Sequence, residues 1–205
     1  MKIRWSKIIA FLVCLVPVAL LGLSAYRGNL GANPLEVITH TTGDWTIRFL
    51  LITLGITPLR QLAKQYWLIQ FRRMFGLFAF FYGTLHFMTY LWFDKFFVWQ
   101  EIWADVLKRK FITVGFLAFV LMIPLAATST KGMIRRLGRR WTQLHRLIYV
   151  SAIAGVIHYL WLVKADKSKP LFYGGVLTLL LGYRVAKWAA QKFQSKAANP
   201  AQARA

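Results

Sequence analysis

Two of the four histidines of this chain lie inside long apolar segments. His86 lies within FYGTLHFMTYLWF and His158 within AGVIHYLWLV. An ionisable side chain is costly in a segment of membrane length, so each histidine is a candidate functional residue. Neutral imidazole is a good axial ligand for haem iron, and two such ligands suit electron transfer because they leave no open position on the metal.

The two histidines are predicted to lie at the same depth on parallel helices. His86 follows Arg73 by thirteen residues, and His158 follows Arg146 by twelve. At about 1.5 Å per residue, each imidazole lies roughly 18–20 Å from the charged surface. Two imidazoles at matched depth can hold one flat metal macrocycle between them. The alternative is that each histidine only makes an interhelical hydrogen bond.

A glycine precedes each histidine by three residues, Gly83 before His86 and Gly155 before His158. Residues three apart share a helix face. A position without a side chain would leave room for a porphyrin against the helix. Glycines also occur at ordinary contacts between membrane helices, so this spacing supports the haem hypothesis without establishing it.

His145 is predicted at the opposite membrane surface, thirteen residues before His158. It could ligate a second haem, although Arg72 and Arg73, rather than a histidine, lie at that level of the other helix. It could equally be an interfacial residue. The expected ligands of the metal are therefore His86 and His158, with His145 as a candidate third, and no catalytic residue is predicted.

Three other polar features leave alternatives open. His40 lies in the first connection and is interpreted as structural or partner-facing. Arg48 could reach the lipid headgroups or neutralise a haem propionate. The segment KGMIRRLGRRW is typical of a topology determinant, and could instead dock an anionic group such as a flavin phosphate.

Composition indicates a membrane protein. The 205 residues are 58% hydrophobic and carry a formal net charge of +21. A basic soluble protein could bind nucleic acid, but several apolar runs here reach the roughly 20 residues that span a bilayer. Lipid is therefore the expected partner and nucleic acid is not. The single Cys14 excludes an internal disulfide, and the lack of C-x-x-C-H excludes covalent haem attachment.

The hydropathy predicts an all-α integral membrane protein, a six-helix transmembrane bundle that forms a single domain over residues 1–205. The start resembles a secretory signal, but five further apolar segments favour an uncleaved first span. The second segment is short and could be tilted or partly interfacial. No internal repeat is apparent, and a polar tail of about residues 190–205 is predicted to be disordered. The predicted spans are about 8–26, 45–59, 74–93, 111–128, 146–163 and 171–188.

Charge predicts the orientation. Most of the 27 Lys and Arg lie in the N-terminal segment, in 60–73, in 129–146 and after residue 183, and none of these segments contains an acid. All six acids lie in the other connections. The positive-inside rule therefore places both termini in the cytoplasm.

The chain resembles the ferric-reductase-like transmembrane superfamily, and within it the MsrQ or YedZ family of haem-binding membrane subunits. The resemblance covers nearly the whole chain and is carried by NPLEVITHTTG, LLITLGITPLR, RRMFGL with GTLH downstream, ATSTKGMIRRLGRRWTQLHRLIYV and IHYLWLVK. The fourth piece, joined to a histidine thirteen residues on, is the most specific.

This resemblance implies a b-type cytochrome of the bacterial inner membrane that crosses it several times. Such a subunit passes electrons from the quinone pool or a flavin donor, with FMN as a second cofactor, to a periplasmic molybdenum-containing subunit. That partner, in a heterodimer, reduces methionine sulfoxide in oxidised proteins. The resemblance implies that the haem-associated histidines of the family correspond to His86, His145 and His158. Arg73 occupies the position where a further histidine ligand would be expected, so the number of haems, one or two, stays open.

The sequence itself contains no G-x-G-x-x-G, so hydride transfer from a nicotinamide is not expected in this chain. We therefore expect an electron-transfer subunit of an oxidoreductase rather than its catalytic subunit. Two alternatives remain: a ferric-reductase-like cytochrome b with another periplasmic acceptor, and a haem-free membrane anchor or proton-relay protein whose histidines move protons.

Overall fold

The computed structural model of the chain describes the backbone of residues 2–198 and the side chains of residues 5–194. Over these residues every regular element is helical, which confirms the all-α prediction. A short 3₁₀ turn at Tyr66–Leu68 precedes α3, and a π-helical turn at Tyr90–Asp94 follows it. The α-helices are α1 Lys2–Tyr26, α2 Pro34–Leu62, α3 Ile69–Thr89, α4 Trp99–Lys108, α5 Lys110–Ala127, α6 Lys131–Leu137, α7 Arg139–Leu144, α8 Leu147–Leu162 and α9 Ser168–Ala198.

The membrane character of the chain is visible in three of these helical segments. Within the described residues, Trp5–Tyr26, Tyr66–Asp94 and Lys110–Ala127 are long and apolar enough to cross a bilayer. The remaining predicted spans correspond to α2, α8 and α9, of which α8 has 16 residues. The count of six spans and the placement of both termini in the cytoplasm stay predictions.

Helix α2 is longer than the second predicted span, because its start is fixed well before residue 45. Asn33 caps the helix: its side-chain oxygen accepts a hydrogen bond from the Glu36 amide at 3.3 Å, and its amide donates to the Glu36 carboxylate at 2.9 Å. Pro34 occupies the first helical turn, where its missing N–H costs nothing. The result is a helix of 29 residues that carries Thr39, Gly43 and Arg60 on one rigid element.

Two antiparallel helix pairs, α2 with α3 and α5 with α8, form the frame of the molecule. The centre of the core is aromatic: Phe49 of α2 stacks on Tyr82 and Phe78 of α3, with ring centroids 5.3 and 5.6 Å apart. Small residues allow the second pair to approach, since Ser151 of α8 is fully buried and donates to the Ala118 carbonyl of α5 at 2.8 Å. His86 therefore lies on α3, which packs against α2, and His158 lies on α8, which packs against α5.

Helix α1 packs on this frame through Phe11 and Cys14, and one hydroxyl of the frame is hydrogen-bonded to its backbone. Tyr82 donates to the Cys14 carbonyl at 2.8 Å and accepts from the Val18 amide at 3.2 Å. These two backbone groups are four residues apart and would pair with each other in an uninterrupted helix. The Tyr82 side chain is inserted between them, and such an insertion, like the adjacent Pro17, is a recognised cause of helix bending.

Helix α4 was not anticipated from the sequence. Ile102 and Val106 are buried against Leu91, whereas Trp99 and Trp103 on the other side are 60% and 57% exposed. Such an amphipathic helix is suited to lie in a membrane interface.

The C-terminal helix continues further than expected. Helix α9 runs to Ala198 and so enters the segment of about residues 190–205 whose disorder stays a prediction. Alanine, lysine and glutamine are strong helix formers, and they dominate this segment. Residues 199–205 of the predicted tail lie outside the described residues.

Candidate functional site

His86 of α3 and His158 of α8 face each other across the space between the two helix pairs. Their ring centroids are 6.1 Å apart and their planes are 75° from parallel. Both line one cavity of about 330 Å³. Its walls are mainly apolar and include Ile47, Leu50, Phe87, Phe116, Phe119 and Met122. The structure thus brings together the two histidines that were expected at matched depth.

Each imidazole is oriented by a backbone carbonyl of the neighbouring helix. The Nδ1 of His86 lies 3.0 Å from the Thr39 carbonyl of α2, and the Nδ1 of His158 lies 2.7 Å from the Phe111 carbonyl of α5. A carbonyl oxygen only accepts, so Nδ1 carries the proton in both rings and Nε2 has a free lone pair. This arrangement, with one nitrogen anchored and the other available, is typical of histidines that ligate metals.

Two glycines that the sequence analysis missed make room for these rings. A Cβ at Gly43 would lie 3.1 Å from the His86 ring, and a Cβ at Gly115 would lie 2.5 Å from Nδ1 of His158. The glycines that were singled out have a different role. A Cβ at Gly83 would meet Met122 at 3.0 Å, so this glycine allows close helix packing at the cavity wall, whereas one at Gly155 would meet Ile47 at 3.5 Å, an ordinary contact.

The two halves of the cavity share one plan, and the expectation of no internal repeat is wrong. In each half the histidine lies 47 residues after the carbonyl that it contacts. The whole set recurs with one spacing, since each member of the second half lies 72 positions after its counterpart. The pairs are Thr39 and Phe111, Gly43 and Gly115, Gly83 and Gly155, and His86 and His158. The repeat is difficult to recognise in the sequence because few positions besides the glycines and histidines are identical.

The arrangement fits a haem held by two imidazoles. A metal bound to both rings at the roughly 2 Å typical of metal–imidazole bonds keeps their centroids about 6 Å apart, close to the observed separation. The free Nε2 lone pairs supply the ligands, the two glycines give the rings space, and the apolar walls suit a porphyrin. The described residues therefore carry the donor set that a bis-histidine haem requires.

His145 does not join this pair. It ends α7, stacks on Trp141 with centroids 3.9 Å apart, and its Nδ1 lies 3.1 Å from the Trp141 carbonyl. Its Nε2 is buried and has no hydrogen-bond partner among the described residues. Arg73, thirteen residues before His86, is exposed. The third predicted ligand is thus separate from the histidine pair and lies within electrostatic range of Arg72.

Polar residues of α2 form one rim of the cavity. His40 is exposed and lies 4.0 Å from the Glu36 carboxylate. Arg48, the residue expected to reach headgroups or a propionate, has partners within the chain: it donates to the Tyr173 hydroxyl at 2.9 Å and lies 3.5 Å from the Asp44 carboxylate.

The other rim belongs to α4 and the residues on either side of it. Lys95 lies 2.7 Å from the Asp105 carboxylate, and Arg109, which lines the cavity, lies 3.3 Å from it. Burial alone would raise the pKa of Asp105, but the hydrogen bond from Lys95 and the charge of Arg109 outweigh it and hold that pKa below its usual range. This ion-pair network fastens α4 beside the cavity.

Comparison with known proteins gives a consistent result. Residues 42–156 match the model of the family described as ferric reductase like transmembrane component. Similar curated proteins carry the name protein-methionine-sulfoxide reductase heme-binding subunit MsrQ. The one from Herminiimonas arsenicoxydans is 55% identical over 91% of this chain and 86% of its own length, and the one from Rhodospirillum rubrum is 50% identical over 89% and 88%. The protein of that name from Xanthomonas campestris is 52% identical over 84% and 82%. No solved structure matches the chain significantly.

Proposed function

The chain belongs to the ferric-reductase-like transmembrane family, within the group of MsrQ subunits, and from this premise we propose that it is the haem-binding electron-transfer subunit of a protein-methionine-sulfoxide reductase. The observation that carries the proposal is the pair His86 and His158. Their Nδ1 atoms are fixed by carbonyls, and their rings face each other 6.1 Å apart in an apolar cavity.

In this proposal His86 and His158 are the axial ligands of one haem b. A haem with two imidazole ligands supplies one-electron transfer and offers no position for substrate. The chain contributes orientation and a mainly apolar environment. The Thr39 and Phe111 carbonyls fix the two rings, and phenylalanine side chains form much of the cavity wall.

The electron route is proposed from charge and resemblance. Electrons enter from the quinone pool or a flavin donor, with FMN as the second cofactor implied by the resemblance, and leave to a periplasmic molybdenum-containing partner. The segregation of the acids to one set of connections supports an inner-membrane protein with both termini in the cytoplasm. A second haem at His145 stays a prediction.

An optical spectrum of the purified, reduced protein tests the proposal. We expect b-type haem bands in the wild type and their loss in His86→Ala and His158→Ala. His40→Ala is the matched control, because that exposed imidazole lies on the same rim and is not expected to ligate the metal. A folded wild type without haem would contradict the proposal.

The partner is tested by co-expression. The haem protein, once reduced, is expected to be reoxidised by a co-purified molybdenum-containing subunit in the presence of a methionine-sulfoxide substrate, and not in its absence. Failure of reoxidation with haem fully incorporated would leave the haem pair intact and overturn the assigned acceptor.

A further inference from the structure

Three arginines converge at the end of the bundle that is remote from the histidine pair. Arg60 lies in the last turn of α2, Arg72 in the first turn of α3 and Arg184 in α9. All three are half-buried. Tyr183, next to Arg184, donates to Gln61, next to Arg60, at 3.0 Å, so α9 and α2 meet here, and Arg72 lies within electrostatic range of both arginines. Like charges gathered between helices repel each other, so this cluster requires a source of negative charge.

The chain does not supply that charge. None of the three arginines forms an ion pair among the described residues. Moreover, the sequence has no acid between Asp44 and Asp94 and none after Asp166. The contacts that are made are neutral: Arg184 donates to the Leu54 carbonyl and lies 5.4 Å from the Tyr149 ring. Within the described residues the cluster therefore has no anionic partner, and an anion from outside the chain would supply one.

Two buried nitrogen atoms indicate where the anion would bind. The Nε atoms of Arg60 and Arg184 are excluded from solvent and have no hydrogen-bond partner in the described part of the chain. An unpaired charged donor of this kind costs more than an ordinary hydrogen bond returns. The basic residues of α6 and α7 differ, because Arg135, Arg136, Arg139 and Arg140 are exposed and water can satisfy them.

The surroundings of Arg60 favour a lipid as the source of the anion. Leu59 and Leu62 are 52% and 70% exposed, and Trp67 is 51% exposed. Leu59 and Leu62 are close to Arg60 in the sequence, and Trp67 lies in the turn between α2 and α3, so an acyl chain could follow this end of the bundle with the indole among headgroups. Guanidinium groups match the oxygen geometry of phosphate, and basic recesses between membrane helices are suited to lipid headgroups.

We propose that Arg60, Arg72 and Arg184 bind the headgroup phosphate of an anionic phospholipid. The site shares no residue with the cavity of His86 and His158, so it does not depend on a haem bound by that pair. The phosphate neutralises the three guanidinium groups and supplies acceptors for the unpaired Nε atoms. It thereby joins α2, α3 and α9 at the end of the bundle.

Native mass spectrometry of the full, detergent-purified chain tests the site with phosphatidylglycerol and phosphatidylcholine. We expect the wild type to retain one phosphatidylglycerol and to prefer it by about tenfold or more. Arg60→Gln and Arg184→Gln are each expected to lower that occupancy by about tenfold. Arg73→Gln is the matched control, since Arg73 is adjacent to Arg72 but exposed, and it is expected to retain the lipid.

Two results would overturn the proposal. One is a wild type that binds the two lipids equally, and this measurement does not depend on whether any variant folds. The other is displacement of the bound species by inorganic phosphate at millimolar concentration, which would identify a free phosphate site instead. Arg60→Lys keeps the charge but loses the planar fork, and we expect an intermediate occupancy.

Discussion

Gly115→Ala tests whether the position of the His158 ring depends on the bare backbone beside it. The added Cβ would lie 2.5 Å from Nδ1, 2.8 Å from Cε1 and 3.0 Å from Cγ of His158, whereas ordinary contacts begin at 3.4 Å. The ring must therefore move by roughly 0.9 Å, since α5 and α8 are packed against each other and cannot separate freely. A movement of this size breaks the 2.7 Å contact with the Phe111 carbonyl.

The expected loss of haem affinity follows from the role of the Phe111 carbonyl, which orients the His158 ring. Removing the partner that orients a metal-ligating histidine typically costs about 10- to 100-fold in metal affinity. We therefore expect Gly115→Ala to lower haem affinity by at least about tenfold. Gly43→Ala should cost less, because its Cβ would lie 3.1 Å from His86 and the ring needs to move by only about 0.3 Å.

Haem titration of the apoprotein, with the optical spectrum as readout, measures the effect. Gly175→Ala in α9 is the control, because a Cβ there meets nothing within 4 Å. Alanine raises helix stability by roughly 1 kcal/mol relative to glycine, so a loss of haem in Gly115→Ala would not reflect a weaker helix. Equal haem affinity in Gly115→Ala and the control would refute the positioning of His158 by this wall.

Three further predictions address other parts of the molecule. Tyr82→Phe should lower the free energy of unfolding by about 1–3 kcal/mol, measured by denaturation in detergent, because two backbone groups of α1 lose their bridge. Asp105 has a depressed pKa in the folded protein, so its contribution to stability is present at neutral pH and is lost as the pH falls through that pKa, below about 4. Asp105→Asn should therefore lower the melting temperature at pH 7 and reduce its loss on acidification, and an unchanged pH profile would argue against the Lys95 pair. His145→Ala should lose less haem than either cavity variant if one haem is bound, and equal loss would indicate a second site or a shared ligand.

The histidine pair could be predicted because burial of an ionisable residue in a membrane span is expensive. His86 and His158 are conspicuous for that reason, and their spacing from Arg73 and Arg146 gives their depth directly. The partners of Nδ1 could not be predicted. They are backbone carbonyls, which every residue possesses, and the side chains at Thr39 and Phe111 have nothing in common that would indicate the role.

Two glycines, helix α4 and the arginine cluster were also not predicted, mostly because their roles depend on neighbours that are distant in the sequence. Gly43 and Gly115 are 43 residues from the rings that they accommodate, and a glycine's purpose is visible only when its neighbour in space is known. Helix α4 was missed because hydropathy over a span-length window does not detect a ten-residue amphipathic helix. The arginine cluster joins residues 60, 72 and 184, and their convergence requires the packing of three helices.

The shared plan of the two cavity halves makes their differences informative. Both rings are oriented by the same kind of contact, but the residue after Gly43 is Asp44, whereas the residue after Gly115 is Phe116. In the first half Thr39 also donates to Thr89, which donates in turn to the His86 carbonyl. The α2 half therefore holds its ring beside a chain of hydrogen-bonded hydroxyls, whereas the α5 half places Phe116 at the position that corresponds to Asp44. Both Asp44 and Phe116 line the cavity, so a haem between the two rings would meet a carboxylate at one position and a phenyl ring at the equivalent position of the other half.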